Sequence, residues 1–190
     1  MVKHVLIIFL TFSVIPLHAA DISDLSYDTI RDNVIITDCE TSATGELIIP
    51  DTIGGKPVTS IGNRAFDDCS SLISINIPDS VISIGEKGFF KCTSLTNITI
   101  GNGVTSIGEG AFQTCTNLSS ITIPDGVTSI GIYAFRDCTS LTAVTFLGNA
   151  PKIGRKIFWE ATPTIYRKPE AKGWGDTWAG RPVKLISEKR

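Results

Sequence analysis

The sequence predicts an α/β solenoid of stacked 23-residue coils. Each coil is expected to supply one strand of a parallel ladder, a short second strand and a short helical turn. Three observations predict it. Residues 58–80, 81–103, 104–126 and 127–149 are near copies of one another, from VTSIGNRAFDDCSSLISINIPDS to VTSIGIYAFRDCTSLTAVTFLGN, with no insertion between them. Fixed slots hold Gly62, Gly85, Gly108 and Gly131, and likewise Cys69, Cys92, Cys115 and Cys138. Each copy also carries an alternating apolar run such as LSSITI (118–123). A constant period in this range marks units that bury their apolar edges only against their neighbours.

The elements follow in chain order. Residues 1–20, MVKHVLIIFLTFSVIPLHAA, combine a short basic start (Lys3, His4), an apolar run from Val5 to Val14 and the small residues Ala19 and Ala20. That is the layout of a secretory signal peptide, with cleavage expected near Ala20 and an apolar run too short for an ordinary membrane span. The mature chain is then expected to carry no transmembrane segment. Within a regular coil, Ile121 and Ile123 fall on one face of a half-buried strand, with Ser120 and Thr122 on the other. Pro124-Asp125-Gly126 supplies turn chemistry, since proline presets φ and glycine permits positive φ. The following VTSI is a second short extended piece. In GEGAFQTCTNL (108–118) the apolar residues Ala111, Phe112, Cys115 and Leu118 have a spacing that suits one or two helical turns.

Charge and composition narrow the function. Removing residues 1–20 takes Lys3 from the 17 basic residues and nothing from the 19 acidic ones, leaving a formal charge of −3. No basic block stands out in the repeats, so nucleic-acid binding lacks an electrostatic footprint. Both histidines, His4 and His18, lie in the leader. The mature chain therefore lacks Ser-His-Asp and Cys-His chemistry and the commonest transition-metal ligand. No catalytic set, metal site or cofactor is expected. Asp51, Asp79 and Asp125 recur after proline, which turn geometry explains before paired-carboxylate catalysis does.

The unit VTSIGEGAFQTCTNLSSITIPDG (104–126) closely resembles the BspA-like leucine-rich repeat, with its Ile-Gly, Ala-Phe, central Cys, Leu and Ile-x-Ile-Pro strand. LTNITI (95–100) also fits the general L-x-x-L-x-L pattern. The resemblance extends upstream, where residues 21–57 look like the family's N-terminal cap, with a loop enlarged by Gly54, Gly55 and Pro57. It extends downstream too. Residues 150–190 look like a degenerate last repeat, with Gly154 and Phe158 in register and Ala161 in the cysteine slot, followed by a closing cap. The four regular repeats occupy 58–149 between them. The resemblance implies secretion or surface display with protein binding or adhesion, and no catalysis. It does not imply any one ligand.

Two features carry open alternatives. An exported protein suggests disulfides. Cysteines stacked at identical slots, however, hold parallel Cβ atoms slightly too far apart for a bridge, and each inner one has two equivalent neighbours. The alternative is a small buried apolar side chain at each slot, with Cys39 an unmatched fifth. The ladder is expected to present two outward columns, Ser74, Asn97, Ser120 and Ala143, and Asn76, Thr99, Thr122 and Thr145. They either bind an extracellular or surface protein or merely fill exposed strand positions in a structural module without a specific partner. Trp174 and Trp178 are either a glycan-stacking platform for a polysaccharide or cap residues on the last coil.

Overall fold

The computed structural model describes residues 19–188, so the signal peptide expected over residues 1–20 lies almost wholly outside the described residues. The chain opens with a 3-10 turn, Ile22–Asp24, closed by reciprocal bonds between Asp21 and the Ser23 and Asp24 positions. Strands β1 (Leu25–Ile30) and β2 (Asn33–Cys39) form an antiparallel hairpin over one end of the stack. Then come β3 (Gly45–Ile48), the two-residue β4 (Thr52–Ile53) and β5 (Lys56–Ile61). Gly54 and Gly55, at φ of 59° and 76°, make the tight turn between β4 and β5.

From there each coil contributes one longer and one shorter strand. The longer ones are β6 (Leu72–Asn76), β8 (Asn97–Thr99), β10 (Ser120–Ile123), β12 (Ala143–Phe146) and β14 (Thr164–Arg167). The shorter ones are β7 (Ser83–Ile84), β9 (Ser106–Ile107), β11 (Ser129–Ile130) and β13 (Lys152–Ile153). A closing hairpin follows, β15 (Thr177–Trp178) and β16 (Arg181–Leu185), the latter parallel to β14. The shorter strands continue from β2 and β5 as one ladder, β2-β5-β7-β9-β11-β13, with β1 at its edge. The longer strands make two sheets, β3-β6-β8 and β10-β12-β14-β16-β15, with a seam between β8 and β10.

The fold is a β-solenoid, and the expected α/β character is overturned. The segments read as helical turns, such as 108–118, contain no helix; 3-10 turns occur only at Ile22–Asp24 and Ile186–Glu188 among the described residues. The physical reason lies in where the backbone N–H groups go. In 62–69 the amides of Ala65, Asp67 and Cys69 bond back three residues, to the carbonyls of Gly62, Arg64 and Phe66. The alternate amides of Arg64, Phe66 and Asp68 point along the stack instead, to the carbonyls of Glu86, Gly88 and Phe90. A helix would spend every amide within its own coil. The residues at Arg64 and Asp68, Lys87 and Lys91, Gly110 and Thr114, and Tyr133 and Asp137 all hold left-handed φ, which breaks the helix twice per coil.

Identical side chains stack in the core. Phe66, Phe89, Phe112, Phe135 and Phe158 form a column with ring centroids 4.9–5.6 Å apart. Leu72, Leu95, Leu118 and Leu141 form another, and all are buried. The fixed glycine follows from this close stacking. A Cβ on Gly108 would lie 2.6 Å from the carbonyl carbon of Gly85 in the coil below.

Candidate functional site

The ladder of longer strands places the expected columns in register. Glu46, Ser74 and Asn97 align on one side of the seam, and Ser120, Ala143 and Thr164 on the other. The neighbouring column is Ile48, Asn76 and Thr99, then Thr122, Thr145 and Tyr166. Asn76, Asn97, Thr99, Ser120 and Thr122 are exposed, while Ser74 and Ala143 are half-buried. Thr145, at the end nearest the closing cap, is buried, with 6% of its surface exposed.

The exposed members differ in one respect from four threonines nearby. Thr96, Thr105, Thr128 and Thr142 each turn the side-chain hydroxyl onto a carbonyl of the preceding coil, at 3.2–3.3 Å. The side chains of Asn76, Asn97, Thr99, Ser120 and Thr122 make no such bond to any described residue. The result is a flat, uncharged lane whose donors and acceptors are turned outward. A groove of about 460 Å³ runs along its edge, lined by Ile48, Asn76 and Thr99 and by the turn residues Asp51, Asp79 and Asn102.

Four ladder residues escaped the sequence reading, Glu46 and Thr164 at the ends of one column and Ile48 and Tyr166 at the ends of the other. Ile48 and Tyr166 continue the Asn76–Thr99 column at its two ends, and Ile48 is 61% exposed. The spacing hides them. Ile48 precedes Asn76 by 28 residues, because the β4–β5 turn lengthens that coil, and Tyr166 follows Thr145 by 21. Neither step matches the period on which the columns were extrapolated.

The aromatic end is built differently. Trp174 and Trp178 are half-buried, each packed on Phe146 with ring centroids 4.9 and 5.0 Å away, and on each other at 5.0 Å. The Trp174 indole donates to the Gly148 carbonyl at 3.3 Å. Trp159 stands apart from them, on the turn of the last coil, with Lys156 over its ring.

The five cysteines are free and buried. Cys92, Cys115 and Cys138 each donate the thiol to the phenylalanine carbonyl of the preceding coil, Phe66, Phe89 and Phe112, at 3.0–3.2 Å. Burial pushes the Cys138 thiol up to about 12 and holds Cys92 and Cys115 well above the ordinary range. A neighbouring Cys69 side chain, with burial second, does the same to Cys39. Such thiols are neither nucleophiles nor metal ligands. Among the described residues no group of three or more His, Cys, Asp or Glu is placed to hold a metal ion, and no helix is long and apolar enough to cross a membrane.

Residues 41–164 match the family model of the BspA type leucine rich repeat region, in six copies. Among solved structures, the leucine-rich repeat protein of T. pallidum is 29% identical with a TM-score of 0.70, over 78% of this chain and 71% of that one. A leucine-rich repeat protein from Bacteroides capillosus is 32% identical with a TM-score of 0.59, over 66% of this chain and 95% of that one. The pneumococcal vaccine antigen PcpA shares the fold at 19% identity and a TM-score of 0.55, over 80% of this chain and 50% of its own. No curated protein matches the chain.

Proposed function

The chain belongs to the BspA-type leucine-rich repeat family, and from that premise we propose that it is an extracellular binding module that presents the lane around Asn97, Thr99, Ser120 and Thr122 to a partner protein. One observation carries the reading. The exposed ladder side chains keep their hydrogen-bonding groups free of intramolecular partners, whereas the hydroxyls at Thr96, Thr105, Thr128 and Thr142 are spent on the preceding coil. Ser74 and Asn76 extend the lane toward the exposed Ile48, which supplies an apolar contact at its end. Thr145 is buried and marks the boundary of the lane. Export is supported by the basic, apolar and small-residue layout of residues 1–20.

Binding rather than catalysis is what this surface chemistry suits, because short uncharged side chains offer no general acid, base or nucleophile. We assign Trp174 and Trp178 to the closing cap rather than to a sugar platform, since Phe146 and the facing indole occupy their sides.

A binding screen of the purified protein against extracellular proteins and polysaccharides tests the reading. A Thr99→Lys, Thr122→Lys variant runs beside it, with folding of both checked by circular dichroism. The expected result is a protein ligand that binds the parent and loses at least about tenfold in affinity in the variant, because two buried, unpaired ammonium groups oppose docking. Undiminished binding by the folded variant would remove the lane from the interface. No ligand at all would favour a structural module without a specific partner.

A further inference from the structure

Every regular coil passes backbone N–H groups to its successor. Arg64, Phe66 and Asp68 donate to the next coil's carbonyls, as do Lys87, Phe89 and Lys91; Gly110, Phe112 and Thr114; and Tyr133, Phe135 and Asp137, at 2.7–3.2 Å. The matching amides in the last coil are those of Lys156, Phe158 and Glu160. Beyond them the chain enters the closing cap, and among the described residues no carbonyl takes the place of the missing coil. Lys156 and Glu160 keep the left-handed φ of the series, 53° and 58°, so the peptide units hold the same alternation. Amides two residues apart that point the same way across a left-handed turn residue form a concavity that attracts anions.

The concavity has walls. A cavity of about 280 Å³ is lined by Lys156 and Phe158 and closed by Ile153, Trp159, Ala179 and Arg181, with no acidic residue in its lining. Arg181 donates one guanidinium nitrogen to the Phe158 carbonyl at 3.1 Å, while its Nε is buried without a partner. The Lys156 ammonium lies 3.9 Å from the Trp159 ring centroid, and Trp159 is 42% exposed. Two cations, unspent amides and a flat aromatic wall therefore converge on a space at the small end of ligand pockets, room for a single ring.

We propose that this cavity binds a carboxylated sugar residue, the uronate of an acidic polysaccharide. The carboxylate sits at the amides of Lys156 and Phe158 between the two cations, and the sugar ring lies against the edge and face of Trp159. Charge-assisted bonds to a carboxylate are the strong ones, and the indole offers a broad apolar surface to a ring of C–H bonds. The site is separate from the ladder lane and stands or falls without it.

Calorimetric titration of the full chain with trigalacturonate tests the site, with an uncharged trisaccharide and an acidic tripeptide as competitors for the assignment. Trigalacturonate is expected to bind, more weakly as salt rises, while the uncharged sugar does not. Lys156→Gln and Trp159→Ala, both at exposed side chains, should each weaken binding about tenfold, and the Thr99→Lys, Thr122→Lys variant should bind trigalacturonate like the parent. Four results would overturn the proposal: no binding by the parent, equal binding of the uncharged sugar, tighter binding of the acidic tripeptide, or undiminished binding by both single variants.

Discussion

At the scale of single residues, the cysteine slot shows how a repeat position is chosen. The side chain must be small and apolar, because the slot is buried in every coil. It also meets a carbonyl oxygen that already accepts one bond: Phe89 O takes the amide of Cys92 and then the thiol of Cys115. A thiol is the small apolar group that also donates weakly. The burial and size were legible in the sequence, and the donor role was not, since it depends on the coil before. The raised thiols have a linkage consequence. Below the ordinary thiol value of about 8.5, folded and unfolded chains are both protonated and the stability contribution is complete. As pH rises above it, the unfolded chain ionises first and binds fewer protons than the folded one, so stability falls progressively up to the folded value of about 12 at Cys138. The urea midpoint is expected to hold steady from about pH 6 to 8 and to drop between about pH 9 and 11. The drop should be smaller in Cys138→Ala, a change that Ala161 already represents in the next coil. A midpoint whose alkaline drop is the same in both proteins would refute the assignment.

At the scale of elements, the strands and the turn at Pro124-Asp125-Gly126 were readable, and the arc read as helical was not. Alternation in LSSITI marks which side chains face inward, and Ile121 and Ile123 are indeed buried beneath exposed Ser120 and Thr122. The arc GEGAFQTCTNL has a helix-like spacing of apolar residues because it wraps a corner of the core, a geometry that a string of turns also produces. What separates the two is the destination of alternate amides, which is a property of the neighbouring coil and leaves no mark on local periodicity. The lane was legible in its regular part for the same reason that its ends were hidden: columns extrapolate only while the period holds. Stacking also sets the cost of disturbing an element. Phe112→Ala opens a hole between two rings and is expected to cost about 3–5 kcal/mol. Gly108→Ala adds one methyl group against the Gly85 backbone and should cost about 1–3 kcal/mol through forced displacement of the coils. Chemical denaturation of both variants checks the pair; a glycine variant as stable as the parent would mean that the coils slide apart freely.

At the scale of the whole molecule, stability is a sum over neighbours, so the ends matter as much as the middle. One end is closed by the β1–β2 hairpin; the other by β16 and the packing of Trp174 and Trp178 on Phe146. Trp178→Ala is expected to lower stability by about 2–4 kcal/mol, somewhat below the range for a fully buried tryptophan. Trp159→Ala, on the rim of the last turn, should change it by no more than about 0.5 kcal/mol. Thermal or urea melts of the two variants separate the roles, and equal effects would contradict them. The caps pack at the two ends of the stack, the closing one reaching Phe146 and Gly148 in the coil before the last, while the interior coils meet their neighbours through the same amides, rings and thiol-to-carbonyl bonds. Length is therefore an evolutionary variable that is nearly free of structural constraint. Recombination between two copies of the repeat, in frame and in phase, inserts or deletes a whole coil without disturbing either end, and the width of the exposed lane changes in quantised steps with it.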